Sequence, residues 1–182
     1  MPPRSRVVLR PPTPADEREF LAHMKASRSV HRPWLYPPVT ADEYRAYLDR
    51  LADDRKVGHL ACRREDGAIV GWVNVSEIVR GGFQSAFLGY GGVAAFAGQG
   101  YMTEALQLVL RDVFGRLRLH RLEANIQPAN APSIALVKRC GFEREGFSPR
   151  YLKVGGRWRD HERWAILAET WRYGARRASS SA

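Results

Sequence analysis

A strand pattern ending in Gly89-Tyr90-Gly91-Gly92-Val93 runs within a few residues into Gly98-Gln99-Gly100 and then into a helical pattern. Leu106, Val109, Leu110, Val113 and Leu117 recur at three- and four-residue intervals, so one helix face is suited to pack on a sheet. Strand, glycine turn and helix in that order point to an α/β architecture. Glycine accepts positive φ and leaves no Cβ between the backbone and an approaching ligand. The first turn of the helix also presents amide N–H groups with no intrahelical acceptor, at the positive end of the helix dipole. The turn is therefore an expected anion site, of a kind that suits a pyrophosphate. Two glycines at this spacing also make an ordinary tight connection, so the turn by itself leaves both readings open.

The rest of the chain extends the α/β rhythm. Arg6 to Arg10 reads as an opening strand stopped by Pro11-Pro12, which lack ladder donors. Thr13-Pro14-Ala15-Asp16-Glu17 has the form of a helix start, followed by Phe20, Leu21 and Met24 on one face. Thr40-Ala41-Asp42-Glu43 starts a second helix carrying Tyr44, Tyr47, Leu48 and Leu51. Between them lies a stiff aromatic loop from His31 to Pro38. Strand-like runs at His59–Arg64 and Ala68–Ile78 flank Glu65-Asp66-Gly67, where Asp-Gly predicts a hairpin. Arg80-Gly81-Gly82 turns the chain into the glycine-bearing strand Ala86–Val93. After the long helix come a strand at Arg121–Ile126, a helix from Ala131 to Arg139 closed by Gly141, and two strands, Phe142–Val154 and Trp158–Ala168, joined across Gly155-Gly156.

With 182 residues and 45% hydrophobic content the chain can bury one substantial core. Residues 1–173 are expected to form a single domain and 174–182 a disordered tail. A formal net charge of +10 predicts an anionic partner, for which nucleic acid, an acidic membrane surface and a polyphosphate cofactor all qualify. Cys62 and Cys140 have no metal-ligand spacing, and His23, His59, His120 and His161 are scattered, so no metal is expected. No apolar run approaches 18 residues and no signal sequence is apparent; a soluble, cytoplasmic protein is expected, with no membrane partner.

From Val7 to Ala168 the chain resembles the GNAT acetyltransferases, particularly the RimJ/RimL branch that acetylates ribosomal-protein N-termini. The resemblance is carried by Gly98-Gln99-Gly100-Tyr101-Met102-Thr103-Glu104-Ala105-Leu106, similar to that branch's GxGxxxEA loop. Asn130-Ala131-Pro132-Ser133 followed by Lys138-Arg139-Cys140-Gly141-Phe142 is similar to its NxxS…GF segment. The resemblance implies a three-layer fold on a mixed, mostly antiparallel sheet whose fourth and fifth strands splay to admit acetyl-CoA. It implies that Gly91, Gly92 and Val93 hold the pantetheine arm, that backbone amides across Phe96, Ala97, Gly98, Gln99, Gly100 and Tyr101 hold the phosphates, and that Asn130 lies near the cofactor arm. Two departures stand out. Ala95 replaces an Arg or Gln frequent in the wider family, and Val137 replaces a tyrosine that protonates the departing thiolate in many relatives.

Acetyl transfer to an amine needs a base for the amine and a proton for the leaving thiolate. Ser133 matches the serine that faces the cofactor sulfur in the Rim branch and is the candidate acid. Glu77 and Glu123, on strands beside the expected cleft, are the candidate bases, although Glu123 also suits an ion pair with Arg121 or Arg118. Trp34 and Tyr36 are expected in the substrate wall, and Arg150 as a residue orienting an acidic substrate group. The implied acceptor is a protein α-amino group of the alanine or serine type; a small amine such as a polyamine, amino sugar or antibiotic is the alternative. More distant is a basic RNA-binding protein on the same scaffold, using Arg116, Arg118, Arg121, Arg139 and Arg144; nucleic acid is not the expected partner because no RNA-binding signature accompanies them. Monomer and homodimer are both compatible with the sequence.

Overall fold

The structure, a computed structural model, describes residues 5–171. The expected tail, 174–182, lies outside the described residues.

Seven strands form one sheet: β1 (Val7–Arg10), β2 (Val57–Arg63), β3 (Ile69–Val79), β4 (Ser85–Gly92), β5 (Arg121–Ile126), β6 (Glu143–Val154) and β7 (Arg157–Leu167). Their spatial order is β1-β2-β3-β4-β5-β7-β6. Every neighbouring pair is antiparallel except β4 and β5, which run parallel. The helices are α1 (Glu17–Ala26), α2 (Arg28–His31), α3 (Ala41–Leu51), α4 (Tyr101–Gly115) and α5 (Ala131–Arg139). Strand alternation sends successive side chains to opposite faces. On β2, Leu60 and Cys62 join Phe20, Met24, Tyr44 and Tyr47 of α1 and α3, whereas Ala61 packs with Tyr101 and Ala105 of α4. The larger core, on the α4 and α5 face, gathers Val73, Val75, Leu106, Val109, Leu110, Leu122, Ala124, Val137 and Trp164. These two faces are the outer layers of the expected three-layer fold.

The hairpin at Asp66-Gly67 forms with Gly67 at φ 79°, as only glycine accepts readily. Several strand ends shift by one or two residues from expectation, and two helix boundaries differ. The first helix opens with a 3-10 turn, Pro14–Asp16, and becomes α-helical only at Glu17. Leu117 lies beyond the end of α4 at Gly115.

Asp16 explains the tight turn. It is 8% exposed, accepts from Arg10 Nη1 at 2.8 Å and Nη2 at 2.5 Å, and accepts from the Thr13 backbone N–H and hydroxyl, each at 2.8 Å. The Arg10 hydrogen bonds outweigh burial and hold the carboxyl below its ordinary pKa. A depressed carboxylate pKa contributes stability that is fully present above the unfolded value, near 3.9, and is lost as pH falls through the lower folded value. Asp16→Ala is expected to cost about 2 kcal/mol at neutral pH and to flatten the acid side of the stability profile, read by urea unfolding between pH 2 and 7.

Candidate active site

β4 and β5 share three residue pairs, Ser85–Arg121, Ala86–Leu122 and Phe87–Glu123, after which no further pairing joins them. Two cavities meet at this parting. One, of about 460 Å³, runs from the Gly98 turn past Gly91, Gly92 and Val93 to α5. The other, of about 450 Å³, lies between the α2–α3 loop and the β6–β7 hairpin. Trp34, Leu35, Tyr90, Asn130 and Ser133 line both.

The first cavity has the backbone of an anion cradle. Gly98 and Gly100 take φ of 73° and 83°, and the first bond closing α4 runs from Glu104 N–H to Gly100 O at 3.2 Å. Amides before Glu104 therefore point out of the helix end. The cradle is narrower than the Phe96-to-Tyr101 span expected from sequence. Phe96 N–H is spent on Val93 O at 3.0 Å and Ala97 N–H on Ala94 O at 3.1 Å, in a 3-10 turn, Ala94–Phe96. Phe96 and Ala97 still line the cavity, as do Gly98, Gly100 and Tyr101, but Gln99 does not. Its carbonyl accepts from Arg6 Nη2 at 2.9 Å.

Arg6 braces the whole turn. Its Nε donates to Glu104 at 2.6 Å, its backbone N–H donates to the same carboxylate at 2.8 Å, and its guanidinium lies 4.7 Å from the Tyr101 ring centroid. Ser5 donates to Glu104 as well. Burial raises the Glu104 carboxyl, but the hydrogen bonds from Arg6 and Ser5 outweigh it and hold it low. Glu104 thus ties β1 to the turn, beyond the dipole role its position suggests. Arg139, on the last turn of α5, lines the same cavity and donates to Thr103 Oγ1 at 3.3 Å. It places a cation near the end of the helix.

Farther along, the strand end is shaped by close approach. A Cβ on Gly91 would stand 2.8 Å from Trp72 Nε1, and one on Gly92 would stand 3.2 Å from Met102 Cγ. His31, expected in a loop, is buried at the end of α2 with Nε2 donating to Gly92 O at 2.7 Å. Burial lowers its pKa despite that bond, so the ring is neutral at neutral pH.

At the junction, Tyr90 Oη lies 2.6 Å from Ser133 Oγ. Ser133 stands in the first turn of α5, where its N–H is capped by Asn130 Oδ1 at 3.3 Å. Burial pushes the Tyr90 phenol well above its ordinary pKa, against the opposing hydrogen bond from Ser133, so Tyr90 keeps its proton. Tyr90 carries no local signal of this role in the sequence, where it is one residue of the glycine-bearing strand Ala86–Val93. Val137 is fully buried in the core, so the hydroxyl at this junction comes from β4.

In the second cavity, Trp34, Trp72, Phe87 and Tyr151 form much of the wall, and Glu77 is the one carboxylate lining it among the described residues. Glu77 is exposed and sits at φ 50° in a bulge between Ser76 and Val79. Trp34 lines both cavities, and its carbonyl accepts from Gln127 at 3.2 Å. Two residues of this lining each keep a polar atom that is buried away from the cavity surface and has no hydrogen-bond partner, the Trp72 Nε1 donor and the Asn125 Oδ1 acceptor.

The remaining candidates sit elsewhere. Glu123 accepts from Arg121 Nε at 2.8 Å, Arg121 also pairs with Glu145, and Glu123 lines neither cavity. A carboxylate held in that pair is withdrawn from the cleft. Tyr36 packs against the β6–β7 turn, where any side chain at Gly155 would strike its ring, and Arg32 lies 3.5 Å from its centroid. Its role is to hold the hairpin over the loop, outside both cavities. Arg150, at φ 48° in a bulge of β6, is exposed, gives its backbone N–H to Asp160 at 2.8 Å and lines neither cavity.

The acetyltransferase (GNAT) domain family matches residues 6–143. The chain is 38% identical to the [ribosomal protein uS5]-alanine N-acetyltransferase of Escherichia coli over 107 residues, 59% of this chain and 55% of that one. Mycobacterium smegmatis RimJ, solved in complex with CoA-disulfide, superposes with a TM-score of 0.82 at 31% identity, over 90% of this chain and 82% of that one. A Vibrio cholerae spermidine N-acetyltransferase, solved with CoA and spermine, shares the fold at a TM-score of 0.78 and 21% identity, over 92% and 99% of the two chains. The family match over most of the chain and the likeness to a CoA-bound structure agree with the parted sheet and glycine cradle seen in this protein, and the chain belongs to the GNAT acetyltransferases, which draw acetyl groups from acetyl-CoA.

Proposed function

We propose that the chain acetylates the N-terminal α-amino group of a protein, of the ribosomal-protein alanine or serine type, and that it does so in the cytoplasm. The observation that carries this reading is the lining of the second cavity, where Trp34, Trp72, Phe87 and Tyr151 form much of the wall and Glu77 is the one carboxylate among the described residues. A polyamine needs several anionic partners along its length, and this lining supplies a single one in a chain of net charge +10. A peptide N-terminus carries one amine followed by neutral backbone, which such a lining suits.

Acetyl-CoA supplies a thioester carbon open to attack and a thiolate able to leave. Its diphosphate suits the amides from Gly98 to Tyr101 and the Arg139 cation, and its pantetheine arm suits the glycine edge of β4. Tyr90 and Ser133, hydrogen-bonded to each other where the cavities join, are placed to pass a proton to the departing sulfur.

CoA release measured across Ala- and Ser-starting peptides, spermidine and amino sugars separates the readings. A peptide is expected to exceed spermidine by about 10²-fold in kcat/KM. Preference for the polyamine would overturn the assignment of the acceptor.

A further inference from the structure

We infer that His161 is the general base that prepares the acceptor amine, an inference that rests on reading the cavity between Trp34 and the β6–β7 hairpin as the acceptor site. His161 is 3% exposed and lines that cavity. Alternation along β7 sends Trp164 and Ile166 into the core under α4 and α5, and His161 to the other face. Its Nδ1 lies 2.9 Å from Arg159 O. A carbonyl only accepts, so Nδ1 carries the ring hydrogen and the lone pair of the neutral ring is on Nε2. Among the described residues no hydrogen bond engages Nε2. The backbone thus fixes the tautomer that a base requires and leaves the basic nitrogen to the cavity.

Burial favours the same state, against the titratable groups around it. Tyr151 of β6 has its ring centroid 6.3 Å away, Asp160 adjoins it on β7, and Glu77 of β3 and Tyr90 of β4 share the cavity. Burial lowers the His161 pKa, and the Arg159 carbonyl and Asp160 offset this only in part. The ring is accordingly neutral at pH 7, where α-amino groups, with pKa near 7.7–8.0, are mostly protonated. Glu77 is the competing base, but it is exposed and held on a bulge.

The protons balance. The acceptor enters as an ammonium and gives one proton to Nε2, which frees the nitrogen lone pair. As the nitrogen–carbon bond forms and the carbon–sulfur bond breaks, a second proton passes from nitrogen to sulfur through the Ser133 and Tyr90 hydroxyls, each taking one proton and giving one. His161 then returns its proton to water, and the products are the amide, the thiol and one H⁺.

The test pairs kinetics of His161→Gln and Glu77→Gln with an NMR titration of His161 in the wild-type protein without ligands. His161→Gln is expected to lower kcat/KM about 10²-fold at pH 7 and to regain most of it near pH 9, where the amine is already neutral. CoA affinity stays within about twofold, which also reports that the variant folds, and Glu77→Gln, whatever its effect on acceptor binding, shows no such recovery of kcat/KM between pH 7 and pH 9. The ring resonance should titrate below pH 6.5 as the Nδ1–H tautomer. A loss equal at every pH, transfer of the effect to Glu77→Gln, or an imidazolium at pH 7 would each overturn the inference. If the wild type acetylates small amines but no peptide, the α-amino assignment fails alone, and the same profiles run on the active amine still decide the role of His161.

Discussion

Valine at position 100 is expected to leave the chain folded and to weaken coenzyme A binding by at least about 10²-fold. Gly100 sits at φ 83°, a region where a β-branched residue is strained by roughly 1–2 kcal/mol or more. A Cβ there would also stand 3.3 Å from Arg6 Nη2, the group that holds Gln99 O and braces Glu104. Relief comes by rotating the turn, which takes the amides of Gly100 and Tyr101 out of line with a bound diphosphate. Losing two charge-assisted hydrogen bonds at about 1.5–3 kcal/mol each accounts for the expected factor. Calorimetric titration with CoA gives the affinity, and the melting temperature without ligand shows that the fold survives. An unchanged dissociation constant would remove the turn from cofactor binding.

The second large effect concerns the hydroxyl pair. Tyr90→Phe and Ser133→Ala are each expected to lower kcat about 10²-fold while CoA affinity stays within about twofold. The double variant is expected to fall little below either single one, because a relay broken at one link gains nothing from a break at the other. The argument rests on the 2.6 Å separation of the two oxygens and on the buried phenol that retains its proton. Losses that multiply would mean that the two residues act independently, and a change in KM alone would assign them to binding.

Much of the scaffold was legible because its signals are local. Asp66-Gly67 announces its own turn, Thr40 and Glu43 cap α3 reciprocally, and the glycines at 98 and 100 mark the cradle before any tertiary contact is known. What escaped depends on strand pairing. His161 is one scattered histidine until β7 pairs with β5 and β6 and turns it toward the cavity. Tyr90 gains its partner only when α5 brings Ser133 alongside, 43 residues away in sequence. Competition for side chains is only partly legible. Sequence offers Glu123 both as a base and as a partner for Arg121 or Arg118, and the structure gives it to Arg121, two residues before it on the same face of β5. The amides of Phe96 and Ala97 were reasonable phosphate donors until a 3-10 turn claimed them.

Only three residue pairs connect β4 to β5, so the sheet is in effect two panels, β1–β4 and β5–β7, hinged along one short seam. Below the seam the edge of β4 that faces β5 finds no neighbouring strand to answer its amides and carbonyls. A molecule that lies in the opening and meets those groups laces the panels together, so its grip and the stiffness of the protein are one free energy seen from two sides.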